Sequence, residues 1–499
     1  MIDLLAFARP PIDWHAAAPE LTLLACGALL TLVDIVWLER AKAVSATLAS
    51  FSLLAAMVPV VTLAVDGTDR AMFGGAYTVD DFSLVMKAVF LLTAYVVVLL
   101  STDYIAKGDF WESEYYQMLL SAVLGMLVMT SARDLVTIFI ALELLSIPAY
   151  LMATWHKVDL RSNEAGLKYY LMGVFASAVL LYGMSLLYGV SGSTMLSDIN
   201  ATISNSQAEG LLAVVVLGLI FVVVGFGFKV SAFPFHMWAP DAYEGAPTPV
   251  TAFLSVASKA AGFVALLSLV FVGFWDRSDV YQPLLWLLSA ASMTGGNLMA
   301  LRQTNAVRML AYSGVAQAGY MLAPLAVAGE SSATADDALS SVVTYLAIYA
   351  AMNLGAFAVI IAVARRTSSA EIDSYKGLFR YAPVLTVAMT VFLMALAGIP
   401  PFGGWFAKFE IVLALLSPGT AWGVVLGGVV GLNSVIALYY YARIASYMWV
   451  EAPPDNVQSS SPIKVPASVS AALILTGLVT LAFGIVPQWV GHFTDVSLL

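Results

Sequence analysis

The sequence predicts an all-α polytopic membrane protein: about fourteen transmembrane helices, with two inverted five-helix repeats over spans 4–8 and 9–13, each holding one broken helix. Three observations carry this. The 499 residues are 61% hydrophobic and 11% charged, with a mean hydropathy of +0.89, whereas soluble domains carry about 25% charge. Apolar runs of membrane-spanning length recur from end to end. Two of those runs are interrupted by proline, each with a lysine close by.

A bilayer core is crossed by ~20 apolar residues. Such spans read at 20–38, 43–65, 82–102, 116–131, 134–155, 167–189, 211–232, 249–274, 283–301, 306–328, 338–363, 384–414, 422–448 and 466–488. The first is expected to be a span and not a signal peptide. It lacks a basic leader, and Asp34, Glu39 and Arg40 follow where a small-residue cleavage site would stand. Between spans, 190–210 reads as a polar outer loop, 364–381 as a basic inner loop and 451–465 as a flexible inner linker. The expected divisions are 1–110, a three-helix segment; 111–275, the first repeat; 276–450, the inverted second; and 451–499, linker and last helix. The chain stops soon after span 14, so no long C-terminal lateral helix is expected.

Orientation follows from Lys and Arg. With the N-terminus outside, thirteen fall in inner loops: Arg40, Lys42, Lys107, Lys157, Arg161, Arg302, Arg308, Arg365, Arg366, Lys376, Arg380, Arg443 and Lys464. Four fall outside, Arg9, Arg70, Arg133 and Arg277. Both termini are therefore expected on the outer side.

Several chemistries find no footing. Cys26 is the only cysteine, and an iron–sulfur cluster needs about four thiolates. No phosphate-binding G-x-x-x-x-G-K-[ST] loop is present, and Gly225-Phe226-Gly227 lies in an apolar run where small residues serve helix packing. A pump built from this chain takes its energy from a gradient or a partner. No metal site or nucleic-acid surface is suggested.

The breaks are Phe228-Lys229-Val230-Ser231-Ala232-Phe233-Pro234-Phe235-His236 in span 7 and Gly398 to Lys408, with Pro400-Pro401, in span 12. Proline removes a backbone donor, and such a break at membrane depth is tolerated only where protein or water satisfies the freed backbone. Paired broken helices point to a transport site. They lie five spans apart, an odd number, so the second copy enters the membrane from the opposite side.

The chemistry sits in charges buried at a cost of at least ~2.5–3.5 kcal/mol each. Lys229 lies beside the first break, where it either carries protons or caps freed carbonyls. Glu143 lies deep in span 5 and needs a lysine from another helix, for which Lys229 is the candidate. Lys259 sits among small residues in span 8. Lys408 follows the second break, and Glu410, two residues on, is not on its face. Lys168 is near the inner end of span 6, within snorkelling reach, and Lys87, just inside span 3, is expected to snorkel outright. His236 has the pKa of a relay or bonds to freed carbonyls. Ser231, Thr248 and Tyr312 are candidates to order water. A mostly lysine set favours protons over a metal cation, which wants clustered oxygens.

The run from Phe228 to Asp241, then Tyr243 to Lys259, resembles the signature of the antiporter-like membrane subunits of respiratory complex I, bacterial NADH-quinone oxidoreductase. Leu167-Lys168-Tyr169-Tyr170-Leu171 and Gly398-Ile399-Pro400-Pro401 through Lys408 are similar to it too. Within that group the subunit N branch fits better than M or L. M usually has glutamate at the position of Lys408, L carries a long lateral helix, and both usually lack the Ala-Ser-Lys of 257–259. Pro401-Phe402-Gly403-Gly404-Trp405 departs from a stretch that often contains threonine in relatives.

The resemblance implies a proton channel in which Glu143 and Lys229 form an ion pair, while Lys168 and Lys259 connect through water to Lys408. It implies other membrane-arm subunits and the lipid bilayer as partners, in a bacterial inner membrane. NADH, FMN, iron–sulfur clusters and quinone are expected in other subunits, with no cofactor in this chain. Three alternatives stand beside it: a subunit of a multi-subunit sodium/proton antiporter, a structural spacer with static lysines, and a pumping dehydrogenase with another electron donor.

Overall fold

A computed structural model describes residues 12–36, 38–107, 112–204, 210–453 and 463–498. Arg9, the side chains of Arg40 and Lys42, and parts of the expected 190–210 and 451–465 connectors lie outside the described residues.

The chain begins with α1 (Ala18–Val36) and α2 (Leu38–Asp66), then a hairpin of β1 (Arg70–Met72) and β2 (Tyr77–Val79) paired Arg70 to Val79. Next come α3 (Asp81–Lys107), α4 (Glu112–Ser131), α5 (Leu135–Ala153), α6 (Leu160–Ser191), α7 (Leu196–Ile203), α8 (Leu212–Lys229) and α9 (Trp238–Gly245). A continuous helical stretch follows: α10 (Thr248–Phe253), a π turn at Leu254–Ser258, α11 (Lys259–Ser268) and a second π turn at Leu269–Gly273. The rest is α12 (Ser278–Ala300), α13 (Ala306–Leu322), α14 (Ser332–Thr367), α15 (Pro383–Ala397), α16 (Gly403–Leu416), α17 (Ala421–Trp449), α18 (Ala467–Ile485) and α19 (Pro487–Thr494).

The chain is thus a polytopic helical membrane protein. Among the described residues ten helical stretches are long and apolar enough to cross a membrane. All fourteen expected segments are helical, but α4 and α12 carry more polar side chains, and α13, α15 and α16 run only 17, 15 and 14 residues. α4, α12, α13 and α16 bury polar side chains, among them Tyr115, Asn297, Gln317 and Lys408.

Four local features depart from expectation. The β-hairpin was not foreseen; it is pinned by Arg70, which donates to Asp13 at 2.8 Å and to Asp66, and it turns through Gly74 and Gly75 at positive φ. Residues 196–203 of the expected outer loop are helical. Span 7 does not end at 232 but resumes as α9 after the break. α14 continues to Thr367, into the expected inner loop.

Helix starts are set locally by side chains that accept the free N–H groups of the first turn: Asp134 for α5, Asp159 for α6, Asn305 for α13, Ser331 for α14 and Thr420 for α17. α14 and the 248–273 stretch are buried nearly all round and form the interior, as expected of helices apolar on every face. α1, α2, α6, α17 and α18 surround them and turn apolar side chains such as Phe51, Phe175, Leu432 and Leu478 outward.

Candidate functional site

Four lysines are buried among the described residues, and three of them share one kind of setting. Lys229 ends α8, Lys259 follows directly on the first π turn, and Lys408 lies one turn into α16; they are 4%, 1% and 7% exposed. Each lies against a glycine whose missing side chain leaves it room. A Cβ on Gly262 would stand 3.0 Å from Lys229 Cγ, on Gly314 2.8 Å from Lys259 Nζ, and on Gly398 2.8 Å from Lys408 Cδ.

Each ammonium is met by neutral oxygens. Lys229 donates to Ser146 Oγ (2.8 Å), Lys259 to the Gly314 carbonyl (2.6 Å), and Lys408 to the carbonyls of Leu396 (3.2 Å) and Ala397 (2.8 Å). Lys408 also stands 4.7 Å from the centre of the Tyr320 ring, a cation–π contact. Its carbonyl partners are the ones freed where α15 stops, at Gly398 with φ +88°.

The direct Glu143–Lys229 ion pair is not formed. Glu143 accepts instead from Ser177 of α6 at 2.6 Å, and Lys229 bonds to Ser146. Ser146 lies one turn beyond Glu143 on the same face of α5, so the carboxylate acts on the ammonium through space, across a hydroxyl.

Lys168 is half-exposed and ion-paired to Glu164 (2.7 Å) and Asp241 (2.8 Å), away from the buried three. Lys87 does not snorkel. It is fully buried, 2.9 Å from Glu20 and 3.0 Å from the Tyr77 hydroxyl. The hairpin lies over that end of α3 and closes the route to the interface. His236 is 5% exposed, stacked on Phe233, and its Nδ1 has no hydrogen-bond partner.

One helix connects these places. α13 begins with Arg308, bonded to Asp241 (2.8 Å) and Glu244 (3.0 Å) of α9. Tyr312 follows, 6.2 Å from the His236 ring, and then Gly314 under Lys259. Gln317 comes next. Its Nε2 donates to the Leu396 carbonyl at 3.2 Å, the same oxygen that accepts from Lys408, while its Oε1 accepts from the Tyr345 hydroxyl. Tyr320 completes the series beneath Lys408. Ser146, Ser177, Asp241, Arg308, Gln317 and Tyr320 were not singled out by sequence reasoning. The available signal was the spacing of Asp241 and Glu244, three apart on one face just after a break.

The family described as NADH:quinone oxidoreductase/Mrp antiporter, TM, matches residues 132–434. "NADH-quinone oxidoreductase subunit N" of Trichlorobacter lovleyi is 38% identical over 97% of this chain and 96% of its own length. The protein of that name from Heliobacterium modesticaldum is 41% identical over 90% of this chain and 91% of its own. Among solved structures, a chain of respiratory complex I from Thermus thermophilus is 31% identical, with a TM-score of 0.79 over 96% of this chain and all of that one. A chain of the Mrp complex from Dietzia shares the fold, with a TM-score of 0.82 over 97% of each chain, at 21% identity. With its matched motifs lying on the broken helices and buried lysines, the chain belongs to the antiporter-like membrane subunits of NADH-quinone oxidoreductase, in the subunit N family.

Proposed function

We propose that this chain moves protons across the bacterial inner membrane as a membrane-arm subunit of NADH-quinone oxidoreductase, and does no redox chemistry itself. The observation that carries the reading is the set of three buried lysines held by neutral oxygens, two of which, Lys259 and Lys408, are met by side chains and backbone of α13. A permanent ion pair would lock each charge in place. Neutral partners leave both the protonated and the empty state tolerable, which a carrier requires.

In this reading quinone reduction elsewhere in the complex reaches the chain as an electrostatic push on Glu143, felt by Lys229 across Ser146. The proton load passes from Lys229 and Lys259 to Lys408 through water and hydroxyls beside Gln317. The two breaks belong to inverted repeats, 111–275 and 276–450, flanked by 1–110 and 451–499; fourteen crossings put both termini outside. NADH, FMN, iron–sulfur clusters and quinone belong to other subunits, and neighbouring membrane-arm subunits are its partners. A place in a sodium/proton antiporter is the second reading, supported by the shared fold of the Mrp chain.

The test is NADH-driven proton pumping in inverted membrane vesicles carrying Lys229→Ala, with assembly and quinone reduction followed in parallel. Pumping is expected to fall in an assembled complex. Unchanged pumping and turnover would make Lys229 structural.

A further inference from the structure

We infer that the charge cluster on α9 is the inner, water-facing mouth of the proton path, with Glu244 the group that collects the proton. The inference rests on the proton-transfer reading above and goes beyond it in naming the mouth.

The cluster joins three helices. α9, the inner half of the first broken helix, presents Asp241 and Glu244 three residues apart, on one face. Arg308 of α13 bonds to both, and Lys168 of α6 bonds to Asp241 and to Glu164. This end carries the basic inner-loop residues Arg161 and Arg302, so it faces inward by the charge rule. Side-chain exposure falls from 65% at Glu164 to 38% at Glu244 and 33% at Asp241. The bonded cluster holds three carboxylates, Glu164, Asp241 and Glu244, and two cations, Lys168 and Arg308, with Arg161 and Arg302 at the same end.

The two α9 carboxylates are not equivalent. Asp241 lies between two cations, each at 2.8 Å, which keeps it ionised and fixes their positions. Glu244 shares only Arg308, at 3.0 Å, and is the more exposed. It is therefore the member of the pair more open to water.

The path continues inward from there. One turn along α13 from Arg308, Tyr312 approaches His236. His236 is nine-tenths buried and its Nδ1 is unpartnered. A buried polar atom without a partner calls for an explanation, and a relay nitrogen served by water supplies one. The rise along α9 from Trp238 to Glu244 is about 9 Å at ~1.5 Å per residue, the distance a proton must cover along this helix. Beyond His236 lie the break, Lys229 and Lys259. The competing role is a salt-bridge staple that ties α6, α9 and α13 together and moves no proton.

The experiment uses the assembled complex in inverted vesicles, whose inner face meets the medium, with membrane potential read by an oxonol dye. Glu244→Gln is compared with the unsubstituted complex from pH 6 to pH 8. The expected result is a several-fold loss at pH 8, a smaller one at pH 6, and partial recovery when formate is added as a mobile proton donor. A pH-independent change, or none, without recovery on formate, marks a staple and overturns the proposal. Should Glu244→Gln not assemble, Glu244→His keeps a titratable group there. Retained pumping with a shifted pH limb is expected, and an unshifted limb overturns the proposal. Lys229→Ala in the same assay separates the two readings. If it abolishes pumping while Glu244→Gln is silent at every pH, the mouth is wrong and the proton path stands. If both are silent, the path itself falls.

Discussion

Gly398 ends α15 with φ +88° and ψ +36° and shares the second break with Lys408. Replacing it with alanine perturbs that lysine without touching it directly. An L-residue in the left-handed region costs about 1–2 kcal/mol. The new Cβ would also stand 2.8 Å from Lys408 Cδ and 3.3 Å from Nζ, so the end of the lysine has to move. The side chain must swing away and lose at least one of its two carbonyls, and a hydrogen bond to a charged group is worth about 1.5–3 kcal/mol. At ~1.36 kcal/mol per tenfold, holding a proton on Lys408 is penalised roughly ten- to hundred-fold. Gly419→Ala is the control, because φ there is +67° but nothing lies within 4 Å. In inverted vesicles, with assembly checked by native gel, Gly398→Ala should lose most of its pumping and Gly419→Ala little. Equal pumping in the two assembled complexes would refute the claim that the carbonyl seat of Lys408 matters.

Other predictions follow from the same geometry. Ser146→Ala leaves Lys229 without its hydrogen bond and should slow pumping more than quinone reduction, whereas Ser146→Thr, which keeps the hydroxyl, should retain it; equal behaviour of the two would remove Ser146 from the path. Gln317→Leu strips the Leu396 carbonyl and Tyr345 of a partner and should lower the ratio of protons pumped to NADH oxidised, measured in vesicles with matched complex content. Lys87→Met leaves Glu20 buried and alone, a loss of about 3–5 kcal/mol for one broken buried pair; less assembled complex on heating is expected, with recovery in the Glu20→Gln, Lys87→Met double variant. Beside the hairpin, hydrogen bonds from the Ala16 backbone and then from Arg70 hold the Asp13 carboxyl below its ordinary value. Its contribution to anchoring the hairpin is present above the ordinary aspartate range and lost as pH falls through the lowered value. Limited proteolysis at 67–76 should accelerate on acidification in the unsubstituted protein and become flatter with pH in Asp13→Asn.

Much of this was legible in the sequence, for identifiable reasons. Lys229, Lys259 and Lys408 stand out because a charge inside an apolar run is costly wherever the chain folds. The prolines of 234 and 400–401 mark the breaks because proline cannot continue a helix. Partners were harder to read. Ser146 is 83 residues from Lys229, and the Leu396 carbonyl is 79 from Gln317; serines, glutamines and backbone oxygens carry no pattern in a single sequence. Lys87 was misread because distance from a helix end says nothing of what covers that end, here a hairpin in a stretch taken for a loop. Glu143 and Lys229 act on each other without touching: the carboxylate accepts from Ser177, and Ser146, one turn along α5, accepts from the lysine.

The π turn at Leu254–Ser258 bears on chain length. A bonding pattern of i to i+5 lodges one surplus residue without rotating the helix on either side. Removing Val256 should let the turn relax to an ordinary one, with Lys259 still aimed at Gly314. Removing Val264, in the regular helix beyond, would swing everything after it by ~100°. A one-residue deletion is thus tolerated or ruinous within the span of two turns, and the dispensable residue lies three positions upstream of a buried charge. What that residue contributes is an unsettled backbone beside Lys259, with carbonyls not committed to a regular ladder, where water can find a foothold.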